Sequence, residues 1–82
     1  MPENAFPSWK EIPRRPVTSS NIRSVGYDPI ESLLVVEFHH GGIYTYDDVP
    51  HEVYDQFLAV ESKGKYFATN IRNTYATNKV SG

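Results

Sequence analysis

The sequence predicts an α+β fold: a three-stranded antiparallel sheet, connected as a β-β-β meander, with two C-terminal helices packed on one face. Three observations lead there. Three short stretches rich in β-branched and aromatic residues follow one another, separated by Asp28-Pro29 and by His39-His40-Gly41-Gly42. Beyond them, Val53, Phe57 and Val60 recur at helical spacing, and Phe67 with Ile71 repeats it. A chain of 82 residues allows one small domain. In such a domain three strands alone are marginal, so the helices must supply the second layer.

Residues 1–16 hold Pro2, Pro7, Pro13 and Pro16. Each removes a backbone donor and disfavours helix at the residue before it. The segment is therefore expected as an extended N-terminal arm, with Phe6, Trp9 and Ile12 as its docking side chains. The first strand is expected over residues 22–27, and Asp28-Pro29 starts a turn. The second strand spans residues 33–38 and the third residues 43–47. Side-chain parity sets the hairpin between them, because residues facing each other in an antiparallel pair point to one side. A three-residue loop at 40–42 pairs His39 with Ile43, Phe38 with Tyr44 and Val36 with Tyr46. That register gathers Leu34, Val36, Phe38, Tyr44 and Tyr46 on one face and leaves Glu37 and Thr45 on the other. It also puts Gly42 at the third loop position, where a left-handed residue closes the turn.

Pro50 suits the first turn of a helix that ends near Glu61. Glu52 and Asp55 fall early in it, where the helix dipole favours acids. Gly64 breaks the pattern, and a second helix is expected over about residues 65–72. Residues 76–82 read as a flexible tail, which leaves residues 17–75 as the folded unit.

Charge is segregated along the chain. Residues 24–61 carry eight acids and no Lys or Arg, whereas residues 62–82 carry Lys63, Lys65, Arg72 and Lys79 and no acid. The overall formal charge is only −2, so a basic and an acidic face can coexist. Cysteine is absent, which excludes disulfides, thiolate nucleophiles and Cys-ligated zinc. No apolar run reaches the ~20 residues of a membrane span, and no signal peptide is visible. A cytoplasmic protein without membrane attachment is expected.

Ser20-Asn21-Ile22 and Val25-Gly26-Tyr27-Asp28-Pro29 resemble the start of the KTSC domain, named for the C-terminus of some lysyl-tRNA synthetases. The alternating Leu34, Val36 and Phe38, then Gly42 and Tyr44-Thr45-Tyr46, resemble that family's central hairpin. Val49-Pro50, Val53-Tyr54, Ser62-Lys63-Gly64-Lys65-Tyr66-Phe67, Ile71-Arg72 and Tyr75 complete the likeness, which covers residues 17–75. The resemblance implies an appended domain or a small stand-alone bacterial or phage protein, with no established activity. RNA binding has been suggested for the family from its synthetase association. The pair His39-His40 departs from the basic or polar tip common in the family.

The expected role is a small non-enzymatic binding module with RNA as the favoured ligand. Arg23, Lys63, Lys65 and Arg72 would contact phosphates, and Tyr66 and Tyr75 would add stacking. Tyr44, Tyr46, Gly42, Pro50 and Gly64 are read as structural. The alternative is a protein-interaction module using the acidic hairpin or a sheet edge. It draws support from charge, since residues 17–75 hold four basic residues against eight acids, whereas non-specific nucleic-acid binders are usually basic overall. No cofactor, metal or catalytic residue is expected. His39 and His40, being adjacent on an extended chain, would point apart, and no nucleophile turn accompanies the serines.

Overall fold

The computed structural model describes residues 9–81. A single 3-10 turn, Trp9–Glu11, leads into β1 (Arg14–Pro16). There follow β2 (Ile22–Asp28), β3 (Leu33–Phe38), β4 (Ile43–Tyr46), α1 (His51–Ala59), α2 (Lys63–Asn70) and β5 (Thr77–Ser81). The strands form one antiparallel sheet in the order β1-β2-β3-β4-β5. The α+β class and the two helices on one face agree with the sequence reading; the sheet has five strands, not three. The two additional strands come from segments expected to be an arm and a tail. Three-residue β1 and five-residue β5 carry almost no buried side chain, so neither shows the alternation that marks a strand. Pairing with β2 and β4 creates them. Phe6 lies outside the described residues.

The helix face of the sheet holds the larger core. Ile22, Val25, Leu34, Val36, Phe38 and Tyr46 pack against Val49, Phe57, Phe67 and Ile71. Full burial of each aliphatic side chain contributes about 1.5–3 kcal/mol. Here the expected parity holds, with Val36 opposite Tyr44 and Leu34 opposite Tyr46. The register itself lies one residue further back on each strand than expected. The N–H of Phe38 donates to the Gly42 carbonyl, and that of Gly41 to the Phe38 carbonyl. The loop is therefore 39–41, and Gly41, at φ 104°, takes the left-handed position assigned to Gly42. His39 continues the pairing with the β2 side. Its N–H donates to the Asn21 carbonyl at 2.9 Å, and its Nε2 lies 3.1 Å from the Ser19 carbonyl. Neighbouring N–H groups on a strand point to opposite sides, so Phe38 bonds across the hairpin while His39 bonds toward the segment before β2.

The reverse face is covered as well. Val35, Ile43 and Ile12 are buried there, with Trp9, Leu33 and Val80 packed around them. Trp9 and Ile12 thus dock on the sheet, and Arg14 stands 5.8 Å over the indole. The approach is close enough to require glycine on β2. A Cβ at Gly26 would lie 2.5 Å from the Pro13 carbonyl oxygen and 3.2 Å from Ile12 Cγ2.

Replacing Gly26 by Ala is expected to lift the Trp9–Pro13 segment off the sheet at a cost of about 1–3 kcal/mol. Trp9 is the single tryptophan, so its emission should shift to the red while the far-ultraviolet dichroism of the helices persists. An unchanged emission maximum would refute this crossing as the constraint on Gly26.

Candidate nucleic-acid interface

Two grooves adjoin on the side of the molecule bearing α2. The first, about 480 Å3, runs between the segment entering β2 (Thr18, Ser19, Ser20) and the α1–α2 junction, where Glu61, Ser62, Lys63 and Lys65 line it. The second, about 490 Å3, lies between the β3–β4 hairpin and α2. Phe38, Tyr44, Tyr46 and Phe67 form its aromatic side, and Asn21, Arg72, Asn73 and Thr77 contribute polar groups. Asn21 and Gly64 line both grooves. Their contact is tight, since a Cβ at Gly64 would fall 2.7 Å from Asn21 Oδ1. Gly64 sits inside α2 rather than breaking it, and its role is this close approach. Pro50 is the residue before α1, in extended backbone with ψ 148°.

The expected basic residues are divided between these grooves. Lys65 is exposed on the first. Lys63 lines it too, but its ammonium also donates to the Val60 carbonyl at 2.9 Å and so caps the end of α1. An ammonium has three donors, so this bond leaves others to face the groove. Arg72 belongs to the second groove. Arg23 sits at a bulge in β2 between Ile22 and Ser24, exposed and outside both grooves. Tyr66 and Tyr75 are elsewhere as well. Tyr66 donates its hydroxyl to Gln56 Oε1 at 3.0 Å and stacks on Phe57, tying α2 to α1. Burial, and then the neighbouring Tyr75, push its pKa up. Tyr66 thus joins the two helices, and Tyr75 is half-buried against the helix-side core.

Tyr44 and Tyr46 lie on the helix-covered face, as parity requires. Tyr46 is only 3% exposed and Tyr44 is half-buried at the groove wall. Burial raises the Tyr46 pKa, opposed by a hydrogen bond from the Thr77 side chain; Tyr44 raises it and Arg72 lowers it more weakly. Tyr44, Tyr46, Arg72 and Thr77 all line this second groove.

Several lining residues were not singled out by sequence. His40 is exposed, yet its ring lies parallel to that of Phe38, with centroids 5.5 Å apart and an interplanar angle of 6°. The Gly42 N–H donates to its Nδ1 at 3.2 Å. Gly42 must be glycine-sized, as a Cβ there would meet the His40 ring at 2.8 Å. Asn21, Asn73 and Thr77 are ordinary loop residues in sequence and converge only through the fold. Lys79 is the β5 partner of Tyr44, which puts a further cation on that face.

At the other end of the β3–β4 pair, Glu31, Leu33, Asp47 and Asp48 line an acidic groove. Among the described residues, no group of three or more His, Cys, Asp or Glu side chains could hold a metal ion. Nor is any helix among them long and apolar enough to cross a membrane.

The KTSC domain family model matches residues 18–75. The chain belongs to the KTSC domain family. A crystal structure of a KTSC domain protein from Yersinia pestis superposes with a TM-score of 0.82 at 36% identity, covering 84% of this chain and 97% of that one. A protein from Tsukamurella paurometabola is 48% identical over 52 residues, 63% of this chain and 78% of its own length. A lysine–tRNA ligase from Nostoc is 34% identical over 62 residues, 76% of this chain but 11% of that protein. In this KTSC domain the family-matched segment is residues 18–75, so β1 and β5 lie outside it.

The buried tyrosine gives an alkaline signature. Because the folded-state pKa of Tyr46 is raised above 10.0, its contribution to stability is complete below about pH 10 and is lost as pH rises through the folded value. Tyr54 and Tyr66 shift the same way. Denaturant midpoints should therefore fall above about pH 10, and Tyr46→Phe should flatten that fall. An equal slope in wild type and variant would contradict the burial of this phenol.

Proposed function

We propose that this KTSC domain is a small, non-enzymatic, cytoplasmic binding module for single-stranded RNA. The observation that carries the reading is the adjacency of the two grooves: Lys63 and Lys65 line one, Arg72 and four aromatic rings line the other, and Asn21 with Gly64 joins them. Cations beside aromatic surfaces suit a sugar-phosphate backbone with unpaired bases. The relationship to part of a lysine–tRNA ligase adds context for an RNA ligand. The mechanism is electrostatic. Lys63, Lys65 and Arg72 take phosphates, releasing counterions. Of the eight acids in residues 24–61, only Glu61 lines one of these grooves; the other seven repel RNA from the rest of the surface and so favour the grooves.

A second reading, protein interaction, is favoured by β5. This strand is an exposed edge that pairs with β4 alone among the described strands, and an extended peptide could add to it.

Three phosphate contacts at about 0.7 counterions each imply a salt slope near −2 for a single strand. Affinity for a short single-stranded RNA should drop roughly twentyfold over a fourfold rise in salt. Lys65→Glu should weaken binding and reduce the slope by about one. Amide-shift titration is the direct readout. Shifts along residues 18–21 and 62–72, reversed by salt, are expected. Affinity independent of salt would sink the phosphate mechanism. Shifts confined to residues 77–81 on adding extended peptides, with none on adding RNA, would replace it by the second reading.

A further inference from the structure

We infer that the aromatic groove takes one unpaired base, stacked on the outer face of the His40 ring, so that the domain reads single strands rather than duplexes. The inference rests on the RNA reading above and deepens it.

The argument starts at the hairpin tip. Phe38 is nearly buried, and His40 lies flat upon it with an interplanar angle of 6°. The imidazole is held there by the hydrogen bond from the Gly42 N–H. Phe38 is itself braced edge-on by Tyr44 and Phe67, at 5.6 and 5.4 Å. His40 is exposed, so this two-ring stack stops at solvent with a pre-oriented platform. A planar ring added to it continues the stack and needs little reordering of the protein, which is where stacking on a flexible side chain loses affinity. Every base has such a face, so the platform tolerates sequence.

The surroundings suit a nucleotide better than a plain apolar group. Asn21, Asn73 and Thr77 offer donors and acceptors for a base edge or a ribose hydroxyl, and Arg72 lines the same groove. A volume of about 490 Å3 falls within the usual range for small-ligand sites. The neighbouring groove with Lys63 and Lys65 supplies positive charge for adjoining phosphates, and the two grooves meet at Asn21 and Gly64. A base can enter between the hairpin and α2 only when it is out of its own stack. Duplex bases are not, and a duplex would meet the platform with its backbone.

The test uses the full chain and three probes with equal numbers of phosphates: a short single-stranded RNA, a duplex half as long, and an abasic phosphodiester as long as the single strand. The single strand should bind best, with upfield shifts of its base protons and of the His40 ring. His40→Ala should weaken single-strand binding roughly tenfold, leave abasic binding unchanged and keep the salt slope. His40→Phe should restore most of the loss. Because His40 is an exposed loop residue, folding of both variants can be confirmed by their amide spectra. Equal affinity for the single strand and the abasic polymer, or a loss in His40→Ala that His40→Phe does not repair, would overturn base stacking while leaving phosphate binding standing. Binding of none of the three probes would overturn both.

Discussion

Val35 is fully buried at the middle of the sheet, on the side away from the helices. Its neighbours Leu34 and Val36 are fully buried on the other side. A central strand that is apolar on both faces imposes the rest of the architecture, because exposed surface on either face would forfeit the burial that holds so small a domain together. The two helices cover one side. The other is covered by the chain's own beginning and end: Ile12 and Trp9 from before β1, and Val80 from β5. Strand order follows from this demand, since the segments that close the back face enter and leave along β1 and β5, the outer strands of the sheet.

Close approach is the recurring device. Gly26 lets the Ile12–Pro13 backbone cross the sheet, Gly42 lets His40 fold over the hairpin tip, and Gly64 lets α2 settle on Asn21. At each point a methyl group would fall under 3 Å from a neighbour. The last two contacts shape the candidate interface. Gly64 brings the start of α2 against the segment entering β2, and Gly42 holds the ring that faces the aromatic groove. Away from the grooves, half-buried tyrosines tie the elements together. Tyr66 bridges the helices through Gln56, Tyr27 bonds the Val49 carbonyl and stacks on Tyr54, and Tyr54 is reached by Arg15 of β1.

Much of the fold was legible in residue patterns. Alternation along β3 and β4 set which side chains share a face, and that parity is what placed Tyr44 and Tyr46 beneath the helices. The one-residue displacement of the hairpin was not legible, because Gly41 and Gly42 suit the left-handed loop position equally well and only the folded backbone puts it at Gly41. Of the candidate site, Lys63, Lys65 and Arg72 stood out as cations. Arg23, Tyr66 and Tyr75 stood out equally by residue type, yet none of the three lines either groove. Asn21 entered only within the family resemblance and His40 only as a departure from it, and Asn73 and Thr77 carried no signal of their own.

By itself the sequence determined the class of fold, the two helices, the face on which the tyrosines lie and the segregation of charge, since each follows from spacing or composition within a few residues. The tertiary structure alone decided the five-strand count, the covering of the second face and the meeting of two grooves at Asn21 and Gly64. The physical reason is range. A short strand with no buried side chain exists only because a neighbour pairs with it. Likewise, a groove exists only where segments distant in the chain are packed within a side chain's reach.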